Sequence, residues 1–249
     1  MKPYFFLFVL SAIFSLNTVS AQGLNQEHKQ YIRSFIAAVK NQDKTWISNY
    51  VEYPLNRTYP IPSIKNKKAL LSRFNAIFDK TLIERITKSN IDKDWSLAGW
   101  RGIMLLDGVI WLNESGNLIA VNYQSQQEKK YREILIQNDK KNIHTSIRDY
   151  KSPEFIGYTN EYSVRIDQMF DSTFRYTSWK KGEKMLKSPD LVLFKGSLSL
   201  EGSIGNKVYE FKNGDYVYQI HDTYDSSVSS KVLIVLKNDI VIYKQVLNF

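Results

Sequence analysis

The sequence predicts an α+β protein in two parts: helices on a curved antiparallel sheet, then an antiparallel β-sandwich or partly closed barrel. Three observations carry that expectation. Apolar residues recur at helical spacing up to about residue 90, short extended runs separated by turn residues follow from residue 99, and beyond Ser152-Pro153 seven such runs succeed one another without any helical pattern. Hydrophobic residues make up 43% of the 249 and aromatics 14%, enough to build cores against the 24% that are charged.

The stretch 1–21, MKPYFFLFVLSAIFSLNTVSA, stands before that pattern. A basic residue at Lys2, an apolar and aromatic run to Leu16 and the ending Val19-Ser20-Ala21 read as a secretory signal peptide cleaved before Gln22. Nothing later approaches the ~20 unbroken apolar residues of a membrane-spanning helix, so no membrane span is expected. The chain has no cysteine, which removes disulfides, thiol nucleophiles, Cys-ligated zinc and lipid attachment through an N-terminal cysteine. The expected protein is periplasmic or secreted and is stabilised by packing alone.

Formal net charge is +9, so the surface attracts anions such as acidic glycans, lipid headgroups or acidic proteins. The lysine groups, Lys65-Lys67-Lys68, Lys129-Lys130, Lys140-Lys141 and Lys180-Lys181, are short and sit among polar neighbours. They read as solvated faces, and no nucleic acid is expected as a partner.

Tyr31, Ile32, Phe35, Ile36 and Val39 place a first amphipathic helix between Leu24 and Lys40. Asp43 caps a second, through Trp46, Ile47 and Tyr50, which Pro54 stops. Three prolines between Tyr53 and Pro62 make a loop or an edge segment. A third helix is expected from Asn66 through Leu70, Phe74 and Phe78 and on past Asp79 to Ile86. Then come extended runs at Gly99 to Leu106, Val109 to Asn113 and Leu118 to Tyr123, with turns at Asp107-Gly108 and Glu114 to Asn117, a three-stranded meander.

The segment Phe35 to Ser125 is similar to small secreted bacterial proteins of the NTF2-like, cone-shaped α+β type. The likeness lies in Tyr53-Pro54-Leu55, Ile64 to Lys67, Phe74 to Asp79, Gly99 to Met104, Gly108 to Leu112 and Ala120 to Tyr123. It implies a fold and no single activity, because such cones host enzymes and binding modules alike. It also implies a pocket in the cone, with Trp100, Met104, Trp111, Val121 and Tyr123 alternating toward one face and Arg101 or Asp107 at its mouth. Enzymes of this type place an Asp/His or Asp/Tyr pair there, and no such pair is matched from the sequence, because the one histidine of this part after the leader, His28, precedes its first helix.

Residues 126–152 read as a charged connecting helix, with Tyr131, Ile134, Leu135 and Asn138 at helical spacing, ending at a boundary at Ser152-Pro153. The all-β part, 153–249, offers strands at Glu161 to Asp167, Thr173 to Trp179, Leu191 to Leu200, Lys207 to Phe211, Tyr216 to Asp222, Lys231 to Leu236 and Ile240 to Leu247. Tyr209 and Phe211 alternate with polar residues, as do Tyr216, Tyr218 and Ile220, and Asn213-Gly214 is a hairpin signal. Val232 to Leu236 is apolar throughout and reads as a central strand. The run Lys187 to Tyr216 resembles a β-rich module that follows the NTF2-like part in exported proteins of the Bacteroidetes type.

Residues with chemistry are few. His28 and His144 have no partner fixed by spacing, and His221 and Asp222, being adjacent on a strand, point to opposite faces, which leaves Asp225 without a joint chelator. Asp92 and Asp94 flank Lys93 on what reads as an extended segment, without the glycine-bent loop of oxygen ligands that calcium needs. Gly196-Ser197 and Gly202-Ser203-Ile204-Gly205 form neither a nucleophile elbow nor a phosphate loop. No catalytic residue, metal site or cofactor is assigned. The expected function is a non-catalytic exported binding or interaction protein of the cell envelope, taking a protein, a glycan or a small apolar ligand. The alternatives are an NTF2-like hydrolase or lyase using a carboxylate in the cone, and a structural or inhibitor protein with an exposed apolar patch.

Overall fold

A computed structural model describes residues 23–202, 206–225 and 228–249. The stretch read as a signal peptide lies outside them. Side-chain caps set the helix starts. Asn25, Asp43 and Asn66 accept backbone N–H groups at the starts of α1 (Gln26–Lys40), α2 (Lys44–Asn49) and α3 (Lys67–Ile77). The single third helix expected from the apolar run is two: the chain leaves helical geometry at Phe78, and Asp79 caps α4 (Lys80–Thr87) by accepting from Leu82 N. The periodicity hides the break, because Phe74, Ile77, Leu82 and Ile86 on both sides of it enter one core. The short α5 (Ile91–Asp94) follows, where the sequence read an extended segment, because the Asn90 side chain caps its first turn.

The N-terminal sheet has four strands where three were expected. β1 (Trp95–Leu97), β2 (Ile103–Leu105), β3 (Ile110–Leu112) and β4 (Leu118–Val121) pair antiparallel in chain order. The run from Gly99 is split, since Gly99 to Arg101 form a 3-10 turn with Gly99 at φ 59° and Gly102 at φ 93°. A side chain at Gly102 would meet the Leu112 carbonyl, so the turn requires glycine there. Trp95, Ile103, Leu105, Ile110, Leu112 and Val121 face the helices and are buried with Ile32, Phe35 and Phe74.

The charged segment after β4 forms α6 (Gln126–Lys141), which touches both halves of the molecule. At its start the Ser125 hydroxyl donates to the Ala76 carbonyl and accepts from Glu128 N. Buried Glu128 is gripped by Arg57, whose guanidinium also donates to the carbonyls of Val121 and Tyr123. At its end Asp139 accepts two bonds from Arg165, at 3.0 and 2.6 Å, and Ile136 packs with Ile143, Ile147, Tyr150 and Trp179.

The C-terminal part is one antiparallel meander of eight strands: β5 (Ser152–Tyr158), β6 (Tyr162–Gln168), β7 (Phe174–Lys180), β8 (Leu191–Glu201), β9 (Asn206–Asn213), β10 (Tyr216–Asp225), β11 (Val228–Lys237) and β12 (Ile240–Leu247). The extra strand is β5, whose Ser152-Pro153 start read as a boundary. Proline lacks the ladder N–H, which an edge strand does not need on its open side. The sheet is not two-layered. It curls into a half-barrel, and its edges touch where Tyr158 and Asn248 exchange backbone bonds of 2.8 and 2.9 Å.

The concave face holds a core of Phe155, Val164, Ile166, Tyr209, Phe211, Ile220 and Leu233, among others. Strands β6 and β7 are buried on both faces because α6 and the segment after it cover their convex side. That covered side carries charge: Asp167 lies between Arg165 at 2.8 Å and Arg175 at 2.7 Å, all three inaccessible to water. Burial by itself lowers the proton affinity of the Arg165 guanidinium, but the carboxylates of Asp139 and Asp167 outweigh it and raise it above the ordinary arginine value. β11, read as central, is next to the edge strand. Only Leu233 and Val235 enter the core, while Val232, Ile234 and Leu236 face outward and are partly exposed.

Asp167→Ala leaves two buried guanidinium groups short of a carboxylate and is expected to cost about 3–5 kcal/mol of stability in urea titrations. Gly196→Ala should cost ~1–3 kcal/mol, because its Cβ would lie 2.1 Å from the Phe211 ring. A loss under 0.5 kcal/mol for either variant contradicts the packing described.

Candidate functional site

Strand alternation sends every second side chain of the half-barrel inward, and at one end those side chains are tyrosines. Tyr218 on β10 pairs with Val235 on β11, which pairs with Tyr243 on β12. Tyr216 follows Tyr218 on the same face. Across the curl, Tyr176 on β7 pairs with Ile166 and Leu193, and Tyr162 stands at the start of β6. Between them is a cavity of about 310 Å³ with the five tyrosines as walls, Leu191, Leu233 and Val235 as apolar floor, and Ser178 and Asp190 as further polar lining. A bulge completes the rim: Val235 pairs with Tyr243 but Leu236 pairs with Val241, so Ile242 is the extra residue and also lines the cup.

The rings are inclined to one another. Tyr176 and Tyr218 have centroids 5.4 Å apart at 46°, and Tyr162 and Tyr243 are 6.2 Å apart at 70°. Burial pushes the phenols of Tyr176, Tyr218 and Tyr243 above the ordinary tyrosine range. They are therefore neutral at ordinary pH, and each hydroxyl can donate or accept a hydrogen bond. The exposed Asp190 accepts from the backbone N–H of Lys180 at 2.9 Å, which fixes its carboxylate at the mouth. Among the described residues of the lining there is no Lys, Arg or His. Lys237 lies outside it, its ammonium 5.2 Å from the centre of the Tyr216 ring.

The opposite end of the half-barrel carries an ion pair and two phenylalanine rings. Asp222 pairs with Lys231, whose ammonium sits over the rings of Phe155 at 5.3 Å and Phe249 at 5.8 Å. Between the two halves of the molecule a second, polar cleft of about 430 Å³ is lined by Arg57, Tyr59, Asn122, Arg132, Glu154 and Lys207, among others. Burial raises the Glu154 carboxyl above the usual range, against the pull of Lys207, the Tyr209 hydroxyl and Arg132.

The residues expected to line a pocket in the N-terminal cone are distributed differently. Met104 and Trp111 are a cross-strand pair on the sheet face away from the helices, and Arg101 lies 5.8 Å from the centre of the Trp111 ring. Trp100 is on the 3-10 turn and is 69% exposed. Tyr123 stands apart, donating to Asp79 at 2.8 Å, and Val121 faces the helices. Asp107 is in the exposed turn between β2 and β3. The helix-facing side of the sheet is filled by the apolar core.

Other candidates have local partners. Asp92 pairs with Lys29 at 2.6 Å, and Asp94 accepts from Asn90 N at 2.7 Å, so the two carboxylates of α5 serve an ion pair and a turn. His28 completes the cap of α1, His144 caps the turn before β5, and His221 bonds to Gln219 at 3.0 Å. Ser197 is a strand residue opposite Glu210. Ser203 to Gly205 and the side chain of Asp225 lie outside the described residues. Among the described residues no group of three or more His, Cys, Asp or Glu is placed to hold a metal ion, and no helix is long and apolar enough to cross a membrane.

No protein-family description, no curated protein and no solved structure matches this chain.

Tyr176 has its phenol pKa raised in the folded state, so its contribution to stability is complete below the ordinary value of 10.0 and is lost as pH climbs above it. Urea titrations at pH 9 and pH 11 should show wild type losing more stability across that interval than Tyr176→Phe, which carries no phenol. Equal losses would contradict the burial of this group.

Proposed function

We propose that the chain is an exported binding protein whose half-barrel cup takes a small ligand, and that its N-terminal half is an NTF2-like α+β unit serving as scaffold. The single observation that carries this reading is the 310 Å³ cavity with five tyrosine walls over an apolar floor. Ligand sites have this make-up, apolar area for affinity and a few fixed polar groups for orientation, and run from ~300 to 1,000 Å³. The size therefore fits a small molecule. Tyrosine supplies large contact area with only two side-chain torsions to order, and a hydroxyl at its tip. Among the described lining residues there is no histidine to serve as a base for the Ser178 hydroxyl, and the reading is capture and not turnover. The leader-like residues 1–21 support work outside the cytoplasm.

Protein recovered from the cell envelope or medium is expected to begin at Gln22 by intact mass; recovery of only the full-length chain removes the export reading. Native mass spectrometry after incubation with the small-molecule fraction of an envelope extract should show a bound species. Tyr218→Ala and Tyr243→Ala should each weaken it about tenfold, or ~1.4 kcal/mol, with the circular dichroism spectrum unchanged. A ligand held equally by both variants is not in the cup.

A further inference from the structure

Resting on the cup as the binding site, we infer that its ligand is an organic cation: a quaternary or alkylated ammonium group carried on a small body. The cup's composition runs against the rest of the molecule. The chain has a formal net charge of +9, yet among the described residues that line this cavity none is cationic, and the one formal charge among them is the Asp190 carboxylate. A site for an anion would be expected to borrow from the abundant lysines, and this one excludes them.

The walls are suited to a cation as well. An aromatic ring carries negative potential on its faces, and a cation within about 6 Å of the centroid is attracted, by ~0.5–1 kcal/mol when exposed and more when desolvated. Five phenol rings surround the space, and burial raises the phenols of Tyr176, Tyr218 and Tyr243 above the ordinary range, so what they offer is ring face and not phenolate. Their mutual angles of 46° and 70° present faces from different directions. One flat ring can stack on only one of these walls, whereas a rounded trimethylammonium group contacts several. Tyr216 already has an ammonium beside it in the chain itself, that of Lys237 at 5.2 Å. The carboxylate of Asp190, held at the mouth by Lys180 N, supplies the counter-ion for an incoming cation.

The test is a pair of isosteres that differ only in charge: choline and its neutral carbon analogue 3,3-dimethylbutan-1-ol, titrated calorimetrically into the mature protein. Choline is expected to bind at least tenfold tighter. Asp190→Asn keeps the acceptor for Lys180 N while removing the charge, and should cut the preference for choline several-fold without weakening the alcohol. Tyr218→Leu should weaken both, choline more. If the alcohol binds as tightly as choline and both are weakened by Tyr218→Leu, the cup is a ligand site and the cationic class is overturned. Binding of neither probe also overturns the cationic class, and the cup itself then stands or falls on the envelope-ligand comparison made with the Tyr218 and Tyr243 variants.

Discussion

Asp167 is the constraint on which the architecture turns. It sits with no access to water between Arg165 and Arg175, and Arg165 reaches on to Asp139 of α6. Charges of this kind are costly to desolvate, and they are tolerated only when geometry satisfies them all. That requirement specifies one docking of α6 on the convex side of β6 and β7. An all-apolar contact would permit neighbouring registers, whereas displacement of the helix by one turn would strand Arg165. Tyr150 adds to the lock: its hydroxyl bonds to Asp139, and burial together with that bond holds its phenol above the ordinary range.

The same helix holds the two halves of the molecule together. Its first turn is gripped by Arg57 and Ser125 on the N-terminal side, and its last turn by Arg165 on the other. Because α6 and the segment after it brace the sheet at β6 and β7, with Val192 of β8 at their border, the outward side chains of β11 and β12 are left without that cover. That asymmetry explains why Val232, Ile234 and Leu236 are partly exposed on a strand whose apolar run alone suggests a central position. It also gives the half-barrel one braced wall and one free wall, with the cup between them.

The cup follows from how the meander fills. Near Asp222 and Lys231 an ion pair and the ring of Phe155 occupy the interior, with the exposed Phe249 ring against them. Toward the other end the inward positions pass to tyrosine, whose hydroxyl seeks water or a polar partner and so resists close packing into a dry core. The bulge at Ile242 changes the strand's path at that rim. A cavity with hydroxyl-tipped walls is the outcome, in a region where leucines at the same positions would have closed the core.

How much of this was legible depends on the range over which each signal acts. Local chemistry was readable: the cap at Asp43, the start of the third helix at Asn66, the Asn213-Gly214 turn, seven of the eight C-terminal strands, and the alternation of Tyr209 with Phe211 and of Tyr216 with Tyr218 and Ile220. Where competing local signals met, the pattern misled, as at Asp79, where a cap interrupts an unbroken helical periodicity, and at Pro153, where an edge strand tolerates a residue that usually ends one. The destination of the charged segment was not readable, because Asp139 and Arg165 are 26 positions apart and each alone looks like a solvated surface charge. The sequence by itself determined the α+β class, the helix and strand periods and that Tyr216 and Tyr218 share a face with Ile220, since these depend on neighbours within a few residues. Only the tertiary structure decided that tyrosines from β6, β7, β10 and β12 meet around one space, because convergence depends on the curl of a sheet, and no single strand encodes that curl.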